Sequence, residues 1–155
     1  MMQLTSNGPR PQTHRRKVLV VDDDIRNIFA LSSVLENYEM EVLSSTNGKQ
    51  AIEIIQKNPD LAVVLMDIAM PRLNGLEATR QVIKAVPATK VLILSAHSHA
   101  AFVKQVTALG AAGFLLKHTS SAVVATAIRE VHKGNTFFSP SISKRLNATV
   151  AIRSR

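Results

Sequence analysis

Four short apolar runs punctuate the chain, at residues 18–21, 61–66, 91–94 and 114–116, with a weaker one at 40–43. Each is continuous rather than alternating, the pattern of strands in a parallel sheet covered on both faces. Between the runs, apolar residues recur at helical spacing. The stripes are Ile25, Ile28, Leu31 and Leu35; Ala51, Ile52 and Ile55, after an expected Asn47-Gly48 turn; Leu76, Thr79, Val82, Ile83 and Val86; Phe102, Val103, Val106 and Leu109; and Val123, Val124, Ala127, Ile128 and Val131. Asp24 suits the N-cap of the first helix, and Ser120 or Thr119 that of the last. Gly110 and Gly134 stand where helices stop, and Pro87 closely follows the third. This alternation predicts an α/β fold, a doubly wound five-stranded parallel sheet with five helices. A short terminal helix is expected over 139–146.

Polar residues gather where the apolar runs end. The first run leads into Asp22, Asp23 and Asp24, the 61–66 run into Asp67, the 91–94 run into Ser95 and the 114–116 run into Lys117. In a parallel sheet these C-terminal ends share one edge, and ligands meet that edge at the switch in strand order. Clustered carboxylates raise one another's pKa unless a cation intervenes. Magnesium suits such a cluster, because it takes one or two carboxylates together with phosphate and water. Asp67 then stands as a carboxylate nucleophile, with Lys117 to neutralise charge on a transferring phosphoryl group and Ser95 to donate a hydrogen bond to its oxygen. Taken singly each residue has a plainer role. An Asp after a strand is commonly a cap or turn residue, and that remains the reading for Asp24. Only the joint arrangement points to a site.

The balance of charge is a matter of the ends. The chain has 155 residues, 19 Lys and Arg against 11 Asp and Glu, and a formal net charge of +8. Arg10, Arg15, Arg16 and Lys17 near the start, and Lys144, Arg145, Arg153 and Arg155 near the finish, account for that whole excess. The body of the chain is neutral, so no specific nucleic-acid binding is expected within it. Any binding by the ends should be non-specific and salt-dependent. With no cysteine, disulfides and thiolate chemistry are excluded. The start has no signal-like apolar run, and no stretch approaches the roughly 20 apolar residues of a membrane span. The expected location is cytoplasmic, with no membrane partner. The histidines His14, His97, His99, His118 and His132 have no metal-ligand spacing.

The chain resembles the receiver domain of bacterial two-component response regulators. The matching residues are Val20-Val21-Asp22-Asp23, Met66-Asp67-Ile68-Ala69-Met70-Pro71, Gly75, Leu94-Ser95-Ala96, Gly110-Ala111 and Phe114-Leu115-Leu116-Lys117. The resemblance implies a flavodoxin-like fold of receiver topology over residues 17–138, between a flexible basic tail at 1–16 and a basic extension at 139–155. It implies Mg2+ held by Asp22, Asp23, Asp67 and the Ala69 backbone carbonyl. It makes Asp67 the phosphoacceptor, with Ser95 and Lys117 gripping the phosphoryl group. Phe114 becomes an aromatic switch whose ring goes from partly exposed to buried as Ser95 moves. The implied partners are a sensor histidine kinase or phosphotransfer protein, a downstream protein target and, on phosphorylation, a second copy of the chain. No enzymatic activity is implied beyond self-phosphorylation from a phosphodonor and autodephosphorylation.

Three positions depart from the family pattern. His118 follows Lys117 where proline is usual, so the usual cis bond is not carried over. Ala69 has no side-chain group to bind an attacking water, whereas His97 has one; these two positions are the ones expected to tune dephosphorylation. Residues 18–56 are similar to receivers of hybrid sensor kinases, and residues 108–146, with Phe138-Ser139-Pro140, to receivers of LuxR-type regulators. The leading expectation is a single-domain response regulator acting through protein contacts. The alternative is a receiver fragment of a larger LuxR-type DNA-binding regulator. An Asp-nucleophile phosphohydrolase of the haloacid dehalogenase kind would need an acid at position 69, where Ala69 stands. No Gly-rich phosphate loop follows any strand.

Overall fold

The computed structural model describes residues 15–68, 75–96, 100–139 and 142, with Asp67, Gly75, Leu76, Ala100 and Phe102 described in their backbone only. In chain order the elements are β1 (Arg16–Val21), α1 (Ile25–Glu36), β2 (Met40–Ser45), α2 (Gly48–Lys57), β3 (Leu61–Asp67), α3 (Gly75–Ala85), β4 (Val91–Ser95), α4 (Ala100–Ala108), β5 (Gly113–Leu116), α5 (Ser121–Lys133) and β6 (Phe137–Phe138). The sheet order is β2-β1-β3-β4-β5-β6, and every pairing is parallel. The continuous apolar runs have their cause in the layers. Along β1, Val18 and Val20 join a cluster with Ile28 and Leu35 of α1 and Val124 and Ile128 of α5. Leu19 and Val21 turn to the other face, with Ile55 of α2, Val82 of α3 and Val106 of α4. Successive strand residues point to opposite faces, so a strand covered on both must be apolar throughout.

The sheet has six strands, one more than the five predicted. The sixth, β6, is two residues long and shows no apolar run of its own. Its pairing with β5, Gly113 to Phe137 and Phe114 to Phe138, creates it. Gly113 makes that approach possible: a Cβ there would collide with the Phe137 carbonyl oxygen.

Local chemistry sets most helix ends. Asp24 caps α1 by accepting from the Arg26 N–H at 2.9 Å. Ser120, rather than Thr119, caps α5 by accepting from the Val123 N–H. Gly134 ends α5 with φ +107° and donates to the carbonyls of Glu130 and Val131. The Asn47-Gly48 pair, expected as a turn, is instead the start of α2. The Asn47 side chain accepts from the Gln50 N–H at 2.8 Å, and Gly48 is the first helical residue. The terminal helix expected over 139–146 lies outside the described residues except at Ser139 and Ile142, both buried.

Candidate functional site

Parallel register carries the predicted residues to one edge of the sheet. Val21 stands beside Met66, Asp67 beside Leu94, and Ser95 beside Leu116. Asp22, Asp67, Ser95 and Lys117 therefore end four adjacent strands at nearly the same level. Backbone hydrogen bonds tie these ends together. The Asp22 N–H donates to the Ser45 carbonyl at 3.1 Å, the Ile68 N–H to that of Leu94 at 3.1 Å, and the Lys117 N–H to that of Ser95 at 2.8 Å.

The three consecutive aspartates have three different environments. Asp22 is buried, only 3% exposed, and its Oδ1 accepts from the Asp24 N–H at 2.9 Å. That bond folds its carboxylate against the start of α1. Asp23 is exposed at the rim. Asp24 is occupied as a cap and pairs with Arg26, whose Nε and Nη2 donate to its two carboxylate oxygens at 3.2 and 3.1 Å. The Arg26 side chain holds the Asp24 carboxyl below its ordinary pKa, helped by the Arg26 N–H and, less strongly, by the charges of Arg26 and Lys117. Asp24 thus performs the plain capping role expected of it.

Across the edge, Ser95 and Phe114 are fully buried, while Lys117 is half-buried in the turn after β5 and His118 is exposed. No peptide bond among the described residues is cis. Asp22 and Lys117, far apart in sequence, line one pocket of about 250 Å³ between α1 and α5, floored by Leu31, Val34, Leu94 and Val124. The Phe114 ring, expected partly exposed before any modification, already lies in the apolar cluster with Ile93, Val103 and Val106. Ala69 and His97, expected to tune dephosphorylation, lie outside the described residues. Among the described residues no three His, Asp or Glu side chains gather as a metal site, and the Asp67 carboxylate is not among the side chains described.

A family model for the response regulator receiver domain matches residues 18–129. The chain belongs to the response regulator receiver family. Among curated relatives, it is 34% identical over 137 residues to the transcriptional regulatory protein DegU of Brevibacillus brevis, covering 84% of the chain and 56% of that protein. It is 33% identical over 133 residues to the response regulator GacA of Pseudomonas aeruginosa, covering 84% and 61%. The chain therefore spans less than two thirds of the length of these relatives. Among solved structures, a LuxR-family response regulator from an Aurantimonas species superposes with TM-score 0.81 over 88% of this chain and 99% of that one, at 23% identity, a likeness of fold. A chemotaxis protein of Vibrio cholerae superposes with TM-score 0.68 at 27% identity, over 76% and 98%.

The receiver also uses two serines to which the sequence assigned no role at the site. Ser139 is buried, and its Oγ accepts from the Leu116 N–H at 3.2 Å, one residue before Lys117. The Ser45 Oγ donates to the Asn47 carbonyl at 2.7 Å and braces the loop beside Asp22. Ser139 stood in the Phe138-Ser139-Pro140 match to LuxR-type receivers, which gave it no contact of its own. For Ser45 there was no signal.

Proposed function

We propose that this receiver accepts a phosphoryl group on Asp67 from a sensor histidine kinase or phosphotransfer protein, and signals by a change of shape that alters partner binding. The observation that carries the reading is the register of four strand ends, which sets Asp67 between Asp22 on one side and Ser95 and Lys117 on the other. An Asp67 carboxylate oxygen attacks phosphorus. An acyl phosphate P–O bond forms as the donor's P–N bond breaks, and the departing imidazole takes a proton. Lys117 offsets charge on the phosphoryl oxygens, and Ser95 donates a hydrogen bond to one of them. The hard oxygens of Asp22, Asp23, Asp67 and the Ala69 carbonyl fit Mg2+. When bound there, the ion supplies charge neutralisation for the phosphoryl group. Phe114 reports the modification to the surface over α4 and β5, and Ala69 and His97 set the rate of loss. The receiver proper is assigned to 17–138, between the basic ends, and works in the cytoplasm. Phosphorylation also favours a homodimer.

The test is intact-mass measurement after incubation with an acyl phosphate donor and Mg2+. One added phosphoryl group is expected, absent in Asp67→Asn and slowed at least tenfold in Asp23→Ala. Equal labelling of Asp67→Asn overturns the assignment. A second reading, the input half of a longer transcriptional regulator, is favoured by the relatives' greater length and their names as regulators. Reading the gene beyond the codon for Arg155 separates the two.

A further inference from the structure

The segment that follows α5 is bound to β5 rather than merely leaving the domain. Gly134 and the Asn135 N–H, which donates to the Glu130 carbonyl at 3.0 Å, reverse the chain toward the sheet. There the Phe137 N–H donates to the Ala112 carbonyl at 3.1 Å, and the Ser139 N–H to that of Phe114 at 2.9 Å. At the next rung a side chain replaces the backbone acceptor, since the Leu116 N–H is taken by Ser139 Oγ. Phe137 packs on the α1 and α5 face and Phe138 on the other. Ile142, only 1% exposed, lies in the same apolar cluster as Phe114.

These contacts fall on the strand that ends the phosphoryl site. The Lys117 N–H is bonded to the Ser95 carbonyl, the Leu116 N–H to Ser139, and the Phe114 carbonyl to the Ser139 N–H. One hydrogen-bonded path thus runs from the end of β4, through the end of β5, to the chain leaving the domain. We infer that Phe137, Phe138 and Ser139, together with Ile142, form a latch on β5 whose hold is coupled to the state of Asp67, so that phosphorylation and the attachment of these residues each favour the other. The inference rests on the reading of Asp67 as phosphoacceptor. The inward Phe114 ring is the latched arrangement, since it shares one buried cluster with Ile142. A phosphoryl group that draws Ser95 and Lys117 toward Asp67 holds the end of β5 in place and tightens the latch. By linkage, a loosened latch must weaken the phosphorylated state by the same factor.

The test reads amide exchange at Ser139 and Leu116 by NMR, with and without beryllofluoride and Mg2+. Protection in the wild type is expected to rise roughly fivefold or more, the lower end of coupling between linked sites. Ser139→Ala removes the acceptor for the Leu116 N–H and is expected to erase most of that rise at Ser139, and to weaken beryllofluoride binding by a matching factor. Gly113→Ala, whose Cβ collides with the Phe137 carbonyl, should act the same way from the opposite strand. If Gly113→Ala does not fold, Ser139→Ala carries the test alone. Unchanged protection in a wild type that still takes up a phosphoryl group by mass overturns the latch and leaves the phosphoacceptor intact. Failure of uptake by mass would instead remove Asp67 from its role. An equal rise in Asp67→Asn would also overturn the coupling.

Discussion

Truncating Phe114 tests where its ring lies before any modification. The ring is 0% exposed and sits among Ile93, Val103, Val106 and Ile142. Removing a buried phenylalanine to alanine costs about 3–5 kcal/mol, through lost transfer energy and the cavity left behind. A domain of this size has about 5–15 kcal/mol in total, so Phe114→Ala should leave a marginal fold. Phe114→Leu, closer in volume, should cost about 1.5 kcal/mol or less. With a urea slope of about 1–3 kcal/mol/M, the alanine variant should unfold at a midpoint roughly 2 M lower. The assay is equilibrium urea unfolding of the unmodified protein, followed by circular dichroism. A loss below about 1 kcal/mol for Phe114→Ala would show that the ring is not inside in the unmodified state. Repeating the series with beryllofluoride and Mg2+ tests the switch itself. A modification shifts an equilibrium only by its differential interaction with the two states, so a ring buried equally in both gives the same cost twice.

Two further outcomes follow from local chemistry. At Gly134, a Cβ meets nothing within 4 Å and φ is +107°, so Gly134→Ala isolates backbone strain; set against the smaller unfolded-state entropy, the net loss should be about 1 kcal/mol, or roughly 2–4 °C in Tm by calorimetry, and no loss would refute it. The Asp24 carboxyl is held below its ordinary pKa by Arg26, so its contribution is present above the unfolded value and is lost as pH falls through the lowered folded value; in Arg26→Gln its NMR titration should move up toward the ordinary carboxylate range, and an unmoved titration would exclude Arg26 as the cause.

Strands β1, β3, β4 and β5 were legible because they are covered on both faces, which forces an unbroken apolar run that needs no partner to be recognised, whereas the partly exposed edge strand β2 gave only a weaker run. The caps at Asp24, Ser120 and Gly134 were legible because capping acts within three residues of the cap. The same locality misled at Asn47-Gly48, since the pair suits a hairpin turn and a helix start equally, and the packing of α2 on the sheet decides between them. The set Asp22, Asp67, Ser95 and Lys117 could be proposed from strand ends alone, because parallel strands must end on one edge. Its register, the burial of Asp22 against the exposure of Asp23, and the pocket that Asp22 shares with Lys117 depend on strands far apart in sequence. The strand β6 was beyond reach for the same reason. Two residues carry no periodicity, and Gly113, which admits them, is separated from Phe137 by the whole of α5. The Ser139 bond to Leu116 exists only because β6 lies against β5, and the inward Phe114 ring rests on its cluster with Ile93 of β4 and Val103 and Val106 of α4; tertiary packing alone decides both.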